Sequence, residues 1–253
     1  MSAILTRRAL VGGLAASATG LLAGCDRLSD SERFQSILKG GEYANYHAHR
    51  FLIDRTALAK EFAPNERSPV FRSNGTSMPQ GDDYARHMAA GFADWRLVID
   101  GLVARPQAIS LAEIRAMPAR SQITRHDCVE GWSAIGGWTG PPLKLVLDAA
   151  GVLPAARFVV FHCMDRYGGT PYYESIDRVD AAHPQTIIAW GLNDQPLPVQ
   201  NGAPLRLRVE RQLGYKHAKY VNSIEAVESL DGIYGGKGGM WEDAAGYQWY
   251  AGA

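Results

Sequence analysis

The pattern that most constrains this chain is a series of short apolar runs with strand-like alternation, punctuated by single short helices. Trp95-Arg-Leu-Val-Ile-Asp-Gly-Leu-Val103 alternates and ends in a turn, so it reads as a strand. Ser110-Leu-Ala-Glu113 has the spacing of a capping box and opens a short helix that Pro118 stops. Gln122–Cys128 reads as the next strand, with the cysteine at its end. Pro142–Ala150 is apolar at helical spacing and stops at Gly151. Arg157–Cys163 has the unbroken apolar character of a buried strand, and Gln185–Trp190, Leu205–Val209 and Tyr220–Val227 add three more. Asn193-Asp194 before Gln-Pro predicts a hairpin turn. Strands dominate, helices are short, no repeat is visible, and the βαβα alternation of a doubly wound fold is missing. The class is therefore α+β, a mixed β-sheet with short helices. The glycine-rich, aromatic end, Gly235–Asp243 and then Tyr247–Tyr250, carries rings that need burial and is expected to dock on the domain.

Composition limits the partners. Lysine plus arginine and aspartate plus glutamate each number 26, so the chain has no basic excess for nucleic acid. Its three cysteines, Cys25, Cys128 and Cys163, are far apart, which excludes a CxxC zinc or haem-attachment motif. At most one disulfide can form, so one thiol has another fate.

Residues 1–25 read as an address. Arg7-Arg8 precede a short, uncharged Gly/Ala-rich run from Ala9 to Leu22, the layout of an export signal of the twin-arginine type. That run is short for a membrane span. Leu22-Ala23-Gly24-Cys25 resembles a lipobox, which makes Cys25 a candidate lipid acceptor and a lipid anchor the chain's expected link to a membrane. Residues 26–68 are polar and read as a tether with surface helices; His47 and His49 within them are read as surface histidines. The main domain is expected over 69–253.

Chemistry concentrates at Arg125-His126-Asp127-Cys128-Val129-Glu130-Gly131-Trp132-Ser133. Three readings are open for Cys128. It can be a nucleophile with His126 as base, since residues two apart in a strand share a face. It can be a soft-metal ligand, or a structural thiol. An exported free thiol is a liability unless buried, paired or ligated. Glu130 and Trp132 are equally candidates for orienting Cys128 or for structure, and Tyr172 and Tyr173 for lining a pocket.

"RHDCVEGWS", "WTGPPL", "HPQTIIAWGLNDQPLPVQNGAPLRL" and "LGYKHAK", in this order, resemble the molybdopterin-dependent oxidoreductases of the sulfite-oxidase fold. The likeness is greatest to their exported bacterial branch, which includes the catalytic subunit of the periplasmic protein-methionine-sulfoxide reductase. The resemblance implies a sulfite-oxidase-type fold, a molybdenum–molybdopterin cofactor and a periplasmic location. Cys128 matches the family's molybdenum ligand. Asn201 and Arg206 match the loop that contacts the pterin and its phosphate, and His217, Ala218 and Lys219 match the segment whose amides and ammonium hold that phosphate. Cys163 stands where the branch has a threonine, and Asn74, in Arg72-Ser73-Asn74-Gly75, is the counterpart of an early cofactor-contacting asparagine. Arg125 and His126 are candidates for the substrate side. The implied reaction is oxygen-atom transfer on a small oxyanion or S-oxide, with electrons exchanged with a separate protein, a cytochrome or membrane haem protein. The insertion before "HPQT" is shorter here, so substrate specificity does not carry over. Two other readings stand beside this one: a cofactor-free surface lipoprotein that binds a ligand or partner, and a Cys-His thiol hydrolase.

Overall fold

A computed structural model describes residues 31–252. The signal, its arginine pair and Cys25 lie outside these residues. The chain divides into two compact units, split between Leu52 and Ile53. The first contributes one described helix, α1 (Glu32–Leu52), which has no buried residue.

The second unit carries the predicted strands and several more. Its strands are β1 (Arg96–Gly101), β2 (Gln107–Ser110), β3 (Arg120–Cys128), β4 (Trp132–Gly140), β5 (Phe158–Tyr167), β6 (Thr170–Asp177), β7 (Ile187–Ala189), β8 (Gly191–Leu192), β9 (Gln195–Pro196), β10 (Arg206–Arg208) and β11 (Val221–Val227). Its helices are α2 (Asp82–Ala89), α3 (Leu111–Ala116), α4 (Leu143–Ala150), α5 (Arg178–Ala181) and α6 (Met240–Ala245). One sheet runs β2-β1-β11-β5-β6, a second runs β3-β4-β8-β9, and β10 pairs with β7. Only β1–β11 is parallel, so the first sheet is mixed.

Local signals acted as expected. The Ser110 hydroxyl accepts from the Glu113 N–H, while Glu113 Oε2 accepts from the Ser110 N–H at 2.8 Å, closing the capping box. Asn193 and Asp194 both take positive φ, 52° and 63°, in the two-residue turn between β8 and β9. Helix α4 buries Leu143, Val146, Leu147 and Ala150 in the main core. Leu97 and Ile99 of β1, Val159 and Phe161 of β5, and Ile224 of β11 share that core. Burial of such side chains stabilises by about 1.5–3 kcal/mol each.

The second compact unit begins at Ile53. Segment 53–68 is bound to the second sheet through Phe62 N–H to Ile123 O at 2.9 Å and Ser68 N–H to Ile135 O at 2.9 Å. Strand β4 is hidden in the sequence by its glycines, which have low strand propensity. They are there for close approach: a Cβ on Gly140 would collide with Ile188 O. The C-terminal segment docks as expected, with Leu213 N–H donating to Ala251 O at 2.9 Å and Trp249 Nε1–H to Ser175 Oγ at 2.8 Å.

Candidate active site

A cavity of about 420 Å³ is built from the 73–76 loop, the β3–β4 turn, the end of β5, the turn before β11 and the C-terminal segment. Its polar lining includes Asn74, Cys128, Glu130, Asp165, His217 and Lys219, and its aromatic lining Tyr167, Tyr172, Tyr215, Trp241 and Tyr247. Its size falls in the roughly 300–1,000 Å³ range of small-molecule sites.

Cys128 ends β3, opposite Trp132 across a tight hairpin. Its thiol is free and half-buried. Burial pushes its pKa up, and the Glu130 carboxylate adds to this against nearby backbone N–H groups. At neutral pH the bare group is a thiol, and a soft cation bound to it would displace the proton. Among the described residues no group of three or more His, Cys, Asp or Glu side chains is arranged to hold a metal ion. Cys128 is the one thiol of the cavity lining.

Lys219 reaches into a cup of neutral oxygens. Its ammonium donates to Asn74 O at 2.7 Å, Gln200 O at 3.0 Å, Ser73 Oγ at 3.4 Å and Thr76 O. Burial, and then the Arg206 charge, pull its pKa down to about 7. Arg206 is fully buried, over the Trp138 ring at 5.0 Å. It donates to Asn201 O at 2.9 Å and His217 O at 3.1 Å, and its Nε has no partner. Burial and then Arg208 lower its pKa to about 9.

His217 is buried and its pKa is pushed well down, by burial first and then by Arg208, so the ring is neutral. Its Nε2 lies 3.0 Å from Gln212 O and must be the donor there. Nδ1, which has no partner, is therefore left as an acceptor. Asp165 lines the same cavity from the end of β5; burial raises its pKa to about 6, and Oδ1 has no partner. Asn74 Oδ1 and Asn201 Nδ2 are likewise buried and unpartnered. Buried polar atoms without a partner are costly and point to a ligand or water.

The remaining candidates from the sequence are separated by position. Arg125 lies on the outer face of β3, 58% exposed in its side chain, paired with Asp127 at 2.9 Å and outside the cavity lining. His126 is buried and outside the cavity lining, its Nδ1 2.9 Å from an Arg208 NH. Arginine can only donate, so that nitrogen accepts and the ring proton sits on Nε2. His126 thus has no free acceptor for a thiol proton, and the Cys-His hydrolase reading loses its base. Cys163 is a buried thiol of the main core, outside the cavity lining. Asn201 and Ala218 also lie behind the lining. The amides expected to be free are used within their turn: His217 N–H donates to Gly214 O and Ala218 N–H to Lys216 O, both at 3.2 Å. Tyr172 lines the cavity, whereas Tyr173 is buried and bonds Asp243. Reading the sequence missed Asp165, Trp241 and Tyr247. A charge inside the apolar run of β5 was a usable signal for Asp165; nothing local marked the other two.

Comparison with known proteins gives the family of the chain. The oxidoreductase molybdopterin binding domain family matches residues 85–232. The protein of Azospira oryzae provisionally named protein-methionine-sulfoxide reductase subunit YedZ1 is 36% identical over 257 aligned residues, 99% of this chain and 87% of that protein. The protein-methionine-sulfoxide reductase catalytic subunit MsrP of Xanthomonas campestris pv. campestris is 37% identical over 147 residues, 54% of this chain and 46% of its own length. Among solved structures, the sulfane dehydrogenase SoxCD from Paracoccus pantotrophus shares the fold. Its TM-score is 0.50 at 20% identity, covering 54% of this chain and 39% of that one. The family's cofactor is molybdopterin carrying molybdenum, and the chain belongs to the molybdopterin-binding oxidoreductases of the sulfite-oxidase fold.

Proposed function

We propose that this oxidoreductase is an exported S-oxide reductase, in which Cys128 is the protein's ligand to molybdenum. The observation that carries the reading is that one cavity gathers a single thiol, an ammonium held only by neutral oxygens, and unpartnered polar atoms of Asn74, Asp165 and His217. These residues fit a metal–pterin monophosphate: a soft donor, cations and orphaned hydrogen-bonding atoms. The names of the relatives support S-oxide over oxyanion. The cofactor-free lipoprotein reading falls with the family match.

The reaction R2S=O + 2H⁺ + 2e⁻ → R2S + H2O needs two electrons, two protons and a place to break the S=O bond. Bound molybdenum supplies the two-electron redox change, as cofactors do for chemistry that side chains cannot perform. Lys219 and, behind it, Arg206 would hold the phosphate, and Asn74, Asn201 and His217 would offer their unpartnered atoms to the cofactor. Cys163 and Ala218 pack behind these groups. Asp165, its pKa raised by burial to about 6, is placed to exchange a proton inside the cavity. Electrons would arrive from a separate protein, a cytochrome or membrane haem protein; the names of the relatives, which are reductase subunits, support this.

No helix among the described residues is long and apolar enough to cross a membrane. The address at Arg7-Arg8 and the lipobox ending at Cys25 support a periplasmic enzyme tethered by lipid near its electron donor. Mass spectrometry of the mature N-terminus tests the tether; an unmodified start elsewhere rejects it.

The test of the reading is metal analysis with turnover. After expression in a molybdopterin-competent host, wild type should carry stoichiometric molybdenum and reduce methionine sulfoxide with a reduced viologen dye. Cys128→Ser should lose both. A well-folded wild type without molybdenum would overturn the assignment.

A further inference from the structure

Lys216 lies in the basic segment expected to hold phosphate, yet its ammonium is committed elsewhere. It is fully buried, 2.6 Å from Glu174 Oε2 on β6 and 2.5 Å from Glu242 Oε1 on α6. Burial, reinforced by the Glu242 neighbour, pushes Glu174 well above the usual carboxylate range, so the trio accommodates one proton and balances its charge. Lys216 therefore bridges the sheet to the C-terminal helix.

The surrounding contacts fasten the same segment. Tyr215 Oη donates to Gln248 O at 2.6 Å, and Ser175 Oγ donates to Gly238 O at 2.5 Å. Gly239 bridges to Glu174, and a Cβ there would collide with Glu242 Oε2. Only a residue without a side chain admits the carboxylate so close to the backbone.

What the segment delivers is aromatic. Trp241 and Tyr247 stack, with centroids 5.7 Å apart and planes at 23°. Trp241 meets Tyr167 at 4.8 Å, and Tyr247 meets Tyr215 at 5.0 Å. All four line the cavity, and Tyr167 is 52% exposed, so this wall reaches the solvent edge.

We propose that segment 238–250 is the specificity wall of the cavity, selecting S-oxides with an apolar body over small polar ones, and that Lys216 is the residue that positions it. The proposal rests on the S-oxide reading above. Aromatic faces pack against the alkyl chain of a larger S-oxide, which dimethyl sulfoxide lacks. The Glu130 carboxylate in the same lining disfavours a free oxyanion.

The experiment uses full-length, cofactor-loaded wild type, Lys216→Met, Glu242→Gln and Trp241→Ala. Molybdenum content is measured first, then hydrogen exchange over 238–250, then kcat/KM for methionine sulfoxide and dimethyl sulfoxide. The two clamp variants should exchange faster over 238–250 while β1, β5 and β11 keep their protection. Trp241→Ala should keep its molybdenum and lose selectivity for methionine sulfoxide over dimethyl sulfoxide by roughly tenfold, the scale of about two methylenes losing their burial. Should Lys216→Met fail to fold, Glu242→Gln carries the clamp arm. Unaltered exchange over 238–250 in the folded clamp variants overturns the role of Lys216. Molybdenum loss in Trp241→Ala, or unchanged selectivity, overturns the wall. If loaded wild type reduces neither S-oxide, the S-oxide reading fails and with it the specificity role, while the exchange arm still decides the clamp.

Discussion

Two regions of the basic segment 206–219 treat buried cations in opposite ways. Arg208 and Lys216 end on carboxylates: Arg208 on both Glu210 oxygens at 2.9 and 2.5 Å, Lys216 on Glu174 and Glu242. Arg206 and Lys219 end on neutral oxygens, and their pKa values drop to about 9 and about 7. A buried cation matched by carboxylates completes the scaffold. One matched only by dipoles keeps attraction in reserve for an anion. The motif is the same basic run, but two of its cations are matched by carboxylates and two only by neutral oxygens; of the latter, Lys219 lines the cavity and Arg206 is buried outside its lining.

The sharpest way to break this contrast is a pair of unfolding measurements. Arg208→Met leaves Glu210 buried without its cation, and should cost roughly 3–5 kcal/mol in urea unfolding of the cofactor-free protein. Arg206→Met strands only two carbonyl oxygens, and should cost clearly less while lowering molybdopterin retention. Equal stability losses would erase the distinction.

A smaller effect is expected in pH dependence. Lys219 has a folded pKa near 7 against an ordinary 10.5. Between these values the unfolded chain binds the extra proton, so the stability of the cofactor-free protein should rise as pH rises through that window. Below about pH 7 both states are protonated, and the full cost of burying the charge is present. Arg206, lowered to about 9, adds the same sign at higher pH. The difference between wild type and Lys219→Met isolates the lysine: the variant's curve should be flatter between pH 7 and 10.5. Parallel curves would reject the depressed pKa. The smallest effect belongs to Arg125→Ala, which removes an exposed ion pair worth less than about 1 kcal/mol and should leave turnover unchanged. A large loss of kcat/KM would return Arg125 to the site.

Legibility followed the range of the interactions. The Ser110–Glu113 capping box, the Asn193-Asp194 turn and the stop at Gly151 depend on neighbours within a few residues, so they could be read directly. Strand β4 could not, because the glycines of Trp132–Gly140 are selected by what packs against them. Cys128 was visible as a polar-flanked thiol, and the resemblance raised it to a metal ligand. His126 looked equally reactive. Only its Arg208 contact, across 82 positions of sequence, revealed a histidine already committed.

The amino-acid order alone determined the α+β class, the thiol at the end of β3 and the family, because strand alternation, caps and ordered motifs are local or collinear. The tertiary structure decided which of the basic residues are matched by carboxylates, which histidine can accept a proton, and that Trp241 and Tyr247 line the cavity. Those outcomes depend on desolvation and on partners brought in from distant segments. Arg206 and Arg208 are two residues apart on one strand, and the difference between them is the buried carboxylate that only one has received.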